Sequence, residues 1–426
     1  MKNIKLNVIT VYKSFLHRMH DDCKRLCDFC FPDNSTRRIL LKNTIWVFKH
    51  FKTASLLLNR YNLQKALLCY KMGGLRELLS RVNGKFHSSS VASLHDLVIE
   101  YANLWLQDTK TIIPQDAVVD IIIPVYNAYE YTIKCIQSVL DNSDINCNLY
   151  IINDCSTDSR INDYLKSLST LETNEHCKDI YILDNDVNLG FICSVNRGLK
   201  CSHNNIILLN TDTEVPENWI SRLMYPIYLD DTVASVTPYS NSAEICSFPD
   251  FCQNNDLPTN MTVNEVDSYF KRYGSQDFIE IPTGVGFCMA MNRHAIEQIG
   301  IFDEIYGKGY AEENDWCCRA AKYGYKNVHV RNLYVYHKHG VSFALHKDKS
   351  KQERIEENLQ ILFSRYPDYT SSVQKYIQED PCRLHRLFIS EIINSRSDCT
   401  KPGILFISHL LGGGTRVYQE QQIFYM

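Results

Sequence analysis

No stretch of this chain approaches the ~18 consecutive apolar residues that a membrane-spanning helix requires, and its longest uncharged runs are broken by Asn, Pro or Tyr. The opening MKNIKLNVITVYKSF also lacks the apolar core and small-residue cleavage site of a secretory leader, so neither an integral nor a secreted protein is expected. Composition is ordinary: 45% hydrophobic and 22% charged residues exclude a disordered, collagenous or coiled-coil chain. At 426 residues, about two to three folded domains are expected. What the chain has in quantity is cysteine. Its 17 cysteines are scattered and odd in number, in a chain too long to need stapling, so reduced thiols in a cytosol are expected. Cys23, Cys27 and Cys30 have a C-x3-C-x2-C spacing that can ligate an iron–sulfur cluster. The surrounding helical stretch is too short for the barrel such chemistry uses, and the spacing is read as coincidence.

The net charge of -4 conceals an asymmetry. Residues 1–110 carry 18 Lys plus Arg against 8 Asp plus Glu, a balance of +10, which leaves 27 against 41, or -14, for the remainder. A basic N-terminal third points to an anionic partner, whether a membrane surface with acidic lipids, a lipid-phosphate acceptor or nucleic acid, or else to a solvated helical face. Apolar residues recur at helical spacing from about 38 to 108, which predicts a basic helical region over 1–112.

Beyond about residue 115 the pattern changes. Short β-branched runs at VVDIIIPV (118–125), CNLYIIND (147–154), DIYILDND (179–186) and NNIILLNTD (204–212) alternate with the helical stretches YEYTIKCIQSVLDN, SRINDYLKSLSTL and FICSVNRGLKC. Strand and helix in alternation predict an α/β fold with parallel strands, whose ligands bind beyond the carboxyl ends of those strands. Each of the four runs ends in amides or carboxylates: Asn127, just after Tyr126, then Asn153 and Asp154, then Asp184 and Asp186, then Asn210 and Asp212. One such end would be an ordinary turn; four on one sheet edge predict a polar site.

The motifs IIIPVYN (121–127), NDCSTD (153–158), NLGFICSVNRG (188–198), LLNTDTEV (208–215), TGVGFCMAMNR (283–293), AEENDWCCRA (311–320) and VYHKHG (335–340) occur in the order and spacing of the family 2 glycosyltransferases, which this segment resembles. The resemblance covers a little over half the chain. It implies a GT-A fold over 115–345, with a mixed, mostly parallel sheet flanked by helices, a helical extension over 346–395, and metal-dependent inverting transfer of a sugar from a nucleotide diphosphate to an acceptor hydroxyl. Residues 400–426 resemble the opening strand and Gly-rich loop of a GT-B type domain, and are too few to bury a core.

The same resemblance assigns residues. Asp212 is the expected metal ligand, with Asn210 standing where the family commonly has a first acid, so that Asn210 and Thr211 fall to the ribose or diphosphate. His337 is expected to complete the metal site, with His339 as its competitor; imidazole would favour Mn over Mg. Pro124, Tyr126 and Asn127 are expected to line the base, with Asp154 or Asp158 accepting from its ring imide and Asp186 near base or ribose. Asn188, Gly190 and Asn196 complete the expected nucleotide-sugar set. Ser156 and Thr157 also suit helix capping, the bland role for that turn. Gly284 and Gly286 would let backbone approach the sugar or acceptor. The general base is expected at Glu313, with Glu312 and Asp315 as the other candidates, although an acidic helix start alone would explain the cluster. Tyr310 and Trp316 suit either sugar stacking or core packing.

The expected function is therefore a glycosyltransferase using a UDP- or dTDP-sugar and Mn or Mg, acting on a glycan or lipid-linked oligosaccharide in surface polysaccharide synthesis of a bacterial, rhamnosyltransferase-like type. Its expected place is cytoplasmic, extending to a peripheral position on the inner face of the membrane, with no nucleic acid partner. The rival is a GT-A-like module that binds a nucleotide sugar or glycan without turnover. A nucleotide-sugar pyrophosphorylase is disfavoured, because its Gly-rich loop should follow the first strand and PVYN stands there instead.

Overall fold

A computed structural model describes residues 113–168, 175–338 and 349–395. The predicted basic region 1–112, the cysteine triplet within it, His339 and the 400–426 segment lie outside the described residues.

The elements run β1 (Val118–Val125), α1 (Tyr129–Asn142), β2 (Asn146–Asn153), α2 (Ser159–Leu168), β3 (Cys177–Asp184), α3 (Phe191–Cys201), β4 (Asn205–Leu209) and β5 (Thr213–Glu214). They continue with α4 (Trp219–Leu229), β6 (Val233–Tyr239), α5 (Val263–Tyr273), β7 (Phe278–Ile281), β8 (Cys288–Met291), α6 (Arg293–Ile299), α7 (Glu312–Lys322), β9 (Lys326–Tyr334) and β10 (Tyr336–His337). Three helices close the described chain: α8 (Lys349–Arg365), α9 (Tyr369–Glu379) and α10 (Arg383–Ser395).

The main sheet has the order β3-β2-β1-β4-β8-β6-β9-β7. β3, β2, β1 and β4 are parallel neighbours, as their alternation with helices predicts. β8 then pairs antiparallel with both β4 and β6, β9 runs parallel to β6, and β7 closes the edge antiparallel to β9. The result is a mixed, mostly parallel α/β sheet flanked by helices. β5 and β10 form a separate antiparallel pair in which His337 stands opposite Thr213. Among the described residues no helix is long and apolar enough to cross a membrane.

β1 reads as a continuous apolar run because both of its faces are covered, and Ile121, Ile122 and Ile123 are all fully buried. Each such side chain contributes about 1.5–3 kcal/mol relative to exposure. α3 crosses this region on Gly198, where an added Cβ would lie 2.7 Å from Ile122 Cγ2 and 3.0 Å from Ile152 Cδ1. Only glycine permits so close an approach, and that approach fixes where the N-terminus of α3 meets the carboxyl edge of the sheet. A second cluster, with Tyr239, Phe248, Phe270 and Tyr334 at its centre, packs α5 and α10 against β6 and β9.

Candidate functional site

At the carboxyl edge the loops after β1 and β2 are stapled by one side chain. Asn127 has φ 56°, in the left-handed region that Asn tolerates better than most residues. Its Oδ1 accepts from the backbone N of Thr157 at 2.8 Å and of Asp158 at 3.1 Å, while its own N donates to Ser156 Oγ at 3.0 Å. Ser156 is therefore spent on the neighbouring loop, and the cap of α2 is Asp158, whose Oδ1 accepts from Arg160 N at 3.1 Å. Asp158 also pairs with Arg160 Nη2 at 2.7 Å, and hydrogen bonds from Arg160 hold its carboxyl below the usual range. Pro124 and Tyr126 are half-buried along the same edge.

Asp154 is engaged on every side. Its Oδ1 accepts from Asn185 Nδ2 and Leu189 N, each at 2.8 Å, and its Oδ2 accepts from Asn188 Nδ2 and Gly190 N, each at 2.9 Å. The carboxylate expected to read the base instead organises the 185–190 loop. Gly190, at φ +90°, is the turn that brings this loop to the start of α3. Asn188 and Gly190 belong to the same knot, and Asp186 stands exposed beside it. Asn196 faces elsewhere: it donates to Phe302 O at 2.9 Å and accepts from Phe302 N at 3.0 Å, tying α3 to the 302 segment. That pairing is packing, and it removes Asn196 from the expected donor set.

The loop after β4 carries Asn210, Thr211 and Asp212. β10 brings His337 alongside, with Nε2 3.4 Å from Asp212 Oδ1. His337 Nδ1 lies 2.8 Å from the carbonyl O of Ser242. A carbonyl only accepts, so Nδ1 carries a proton, and with a cation bound Nε2 would be the nitrogen that offers a lone pair. Asn241 fixes the backbone here, accepting from His337 N and donating to His337 O, both at 2.8 Å. Phe287 stacks on the ring with centroids 5.0 Å apart. An imidazole nitrogen and a carboxylate oxygen held at this separation, with the other ring nitrogen anchored on a carbonyl, are a donor set that fits a divalent cation. Among the described residues no group of three His, Cys, Asp or Glu is gathered for a metal, so two protein ligands are what this set offers. Such a site leaves room for water and phosphate oxygens. Asn210 Oδ1 is buried without a hydrogen-bond partner next to it.

The acidic cluster forms the first turn of α7. Its three candidates separate sharply. Asp315 is fully buried, and accepts from Tyr306 Oη at 3.1 Å, Arg365 Nη1 at 3.0 Å, Tyr366 Oη at 3.0 Å and Arg319 Nε at 2.8 Å. It has no capacity left for a substrate, which removes it from the base candidates. Glu312 and Glu313 each keep one buried oxygen, Oε2, without a hydrogen-bond partner. Burial, reinforced by the charge of Glu313, pushes the Glu312 carboxyl well above its ordinary range; burial, with Glu244 adding, raises that of Glu313.

Gly286 borders this turn, since a Cβ there would meet the Glu313 side chain at 3.8 Å. Phe287, next in sequence, accepts from Asn210 N through its carbonyl at 2.9 Å, so one short segment joins the Asp212–His337 pair to Glu313. Gly284 packs internally instead, 3.2 Å from Met289 Sδ and Thr237 Oγ1 by the same measure. Trp316 is fully buried with Nε1 donating to Gly300 O at 2.8 Å; it is core, not a stacking platform. Tyr310 is half-buried before α7. Sequence reasoning missed Asn241, Ser242 and Phe287; the polar run SNS just after an apolar strand was the available signal for the first two.

Residues 120–300 match the family model described as glycosyl transferase family 2. A relative from Haemophilus influenzae, described as an uncharacterized glycosyltransferase, is 31% identical over 122 residues, which is 28% of this chain and 36% of the relative. The chain thus spans about a third of the length of that relative. Two solved structures align with parts of this chain: one is GalNAc-T7 with UDP, GalNAc and Mn2+, at TM-score 0.42 and 15% identity, covering 66% of this chain and 57% of that one. The other is the mannosyltransferase PcManGT from Pyrobaculum calidifontis with GDP-Man and Mn2+, at TM-score 0.39 and 14% identity, covering 75% of this chain and 94% of that one.

Proposed function

We propose that residues 115–345 carry out metal-dependent, inverting transfer of a sugar from a nucleotide diphosphate, with UDP or dTDP favoured, to an acceptor hydroxyl. The observation that carries this reading is the pairing of His337 Nε2 with Asp212 Oδ1, joined through the Gly286–Phe287 segment to a glutamate with an unpartnered buried oxygen. The match of residues 120–300 to the glycosyl transferase family 2 model supports it.

Asp212 and His337 would hold the cation, which when bound would neutralise charge growing on the diphosphate leaving group. Glu313 takes the proton of the attacking hydroxyl; burial raises its basicity toward the operating pH, which suits a general base. Two adjacent buried carboxylates resist carrying two charges, so Glu312 stays protonated and Glu313 acts as the anion. Asn210 Oδ1, buried and unpartnered, would accept from a hydroxyl of the donor. The acceptor proposed is a glycan or lipid-linked oligosaccharide, brought close by the basic 1–110 region at an anionic membrane face. Asn210, in place of an acid, favours the rival reading of a binding module without turnover.

The test is release of nucleoside diphosphate from a panel of UDP-, dTDP- and GDP-sugars with Mn or Mg. Turnover of one donor, abolished by chelator and by Asp212→Ala, is the expected result. Donor binding by calorimetry without turnover, lipid-linked acceptors included, would favour the binding module; no binding of any donor would overturn both. Sedimentation with anionic liposomes at low salt checks the membrane component separately.

A further inference from the structure

The turn that presents Glu312 and Glu313 is held in an unfavourable backbone conformation. Gly307, Gly309, Tyr310 and Ala311 have φ of 63°, 124°, 79° and 75°, and two of these residues are not glycine. Ala311 is the N-cap of α7 and supplies no side-chain cap. Left-handed non-glycine residues in succession persist only where their surroundings over-determine them. The over-determining group comes from α8, beyond the 120–300 segment that matches the family model. Asn358 Nδ2 donates to Tyr306 O at 2.9 Å and to Gly309 O and Tyr310 O, each at 3.0 Å. Asn358 is buried, so these carbonyls have a protein donor where water has little access. Seven residues further along, Arg365, with Tyr366 just past the helix, binds Asp315 on the far side of the same turn. The C-terminal half of α8, from Asn358 to Arg365, with Tyr366 beyond it, therefore grips the Glu312–Glu313 turn from both ends.

We infer that Asn358 is a positioning residue for the transfer reaction: its carboxamide fixes the 306–310 carbonyls and thereby aims the Glu312–Glu313 pair at the site. This rests on the glycosyl-transfer reading above. Asn358 itself touches neither Asp212 nor His337, and the 306–310 segment it holds meets the 185–190 loop through an exposed hydrogen bond from Lys308 Nζ to Asn188 Oδ1 at 3.2 Å, which uses none of the carbonyls that Asn358 binds.

The experiment compares the full chain with Asn358→Ala and with Asn358→Asp, which keeps the shape but removes the donors. Three quantities are read: backbone amide exchange over 307–313, the calorimetric affinity for UDP with Mn, and kcat against donor KM. Displacing a catalytic group by about 1 Å can cost roughly 100-fold, so kcat is expected to fall 10- to 100-fold. Amide exchange over 307–313 is expected to accelerate, while UDP affinity and donor KM stay within about twofold. Unchanged exchange would overturn the clamp, and faster exchange with unchanged kcat would overturn its role in positioning. Loss of folding in both variants, or parallel loss of UDP affinity and kcat, would assign Asn358 a purely structural role. A wild-type chain that turns over no donor overturns the glycosyl-transfer reading, and the exchange result then stands alone as a statement about the turn.

Discussion

The two acidic regions of the site spend their carboxylates differently. At the β2 end Asp154 faces four donors, two of them backbone N–H groups of the 185–190 loop. At the start of α7 the carboxylates divide: Asp315 is saturated by two arginines and two tyrosines, while Glu312 and Glu313 each keep an unpartnered buried oxygen. A saturated carboxylate holds structure, because substrate could bind it only by displacing bonds already made. An unpartnered buried oxygen carries a desolvation cost that a substrate proton or hydroxyl would relieve. The division, rather than the presence of acid, marks where chemistry can occur.

The largest expected effect tests the unsatisfied side. Glu313→Gln removes a proton acceptor at nearly constant shape, and should lower kcat for transfer by roughly 10²- to 10⁴-fold with the thermal midpoint unchanged. Steady-state transfer rates alongside a melting curve check it; full activity in this variant would take the base role away from Glu313. Asp315→Asn, two residues along the same helix, should show the inverse profile. It leaves Arg319 and Arg365 facing an amide, and breaking a buried ion network of this kind costs about 3–5 kcal/mol, read as a lower urea midpoint. A stable Asp315→Asn protein with abolished chemistry would collapse the distinction between the two carboxylates.

Asp154→Asn should have a smaller, loop-centred effect. Two backbone donors, Leu189 N and Gly190 N, compete for one remaining acceptor oxygen, at a cost of about 1–3 kcal/mol. If Asp154 organises the loop rather than reading the base, calorimetric affinities for UDP, dTDP and GDP should fall by similar factors. A selective loss for pyrimidine nucleotides would return Asp154 to the base pocket.

Much of the scaffold was legible because it is local. VVDIIIPV, YEYTIKCIQSVLDN and FICSVNRGLKC coincide with β1, α1 and α3 at both ends, since apolar periodicity and flanking turn residues sit within each segment. The antiparallel insertion of β8 between β4 and β6 was not legible, because CMAM has no feature that declares strand direction. In the site, the sequence names the carboxylates without naming their partners. Asp154 and Asp158 look alike within NDCSTD, yet one binds residues more than thirty positions away and the other caps its own helix. Asp315 is likewise indistinguishable from Glu313 until Arg365 and Tyr366 arrive from α8. Hydrogen-bond saturation is a tertiary property, and no spacing rule within one motif reports it.

The imidazoles repeat the contrast and give the mildest test. His337 and His329 each set Nδ1 against a backbone carbonyl, Ser242 O at 2.8 Å and Thr237 O at 2.9 Å. His337 Nε2 points at a carboxylate; His329 Nε2 is buried with no hydrogen-bond partner, and burial first, with Arg386 and Arg331 adding, lowers its pKa to about 3 from 6.5. His385, in the same core, is lowered in the same direction and for the same chief reason. Below pH 6.5 the unfolded chain binds protons that the folded core refuses, so stability is full above that pH and is lost progressively as pH falls toward 3. Between pH 7 and pH 5 the His329 contribution should decline by on the order of 2 kcal/mol, at about 1.4 kcal/mol per pH unit. Urea midpoints at the two values should differ accordingly, and His329→Gln should reduce that difference while His385 retains its share. An unaltered difference in His329→Gln would mean that its buried ring accepts a proton without unfolding, and the contrast between spent and available groups would not extend to the histidines.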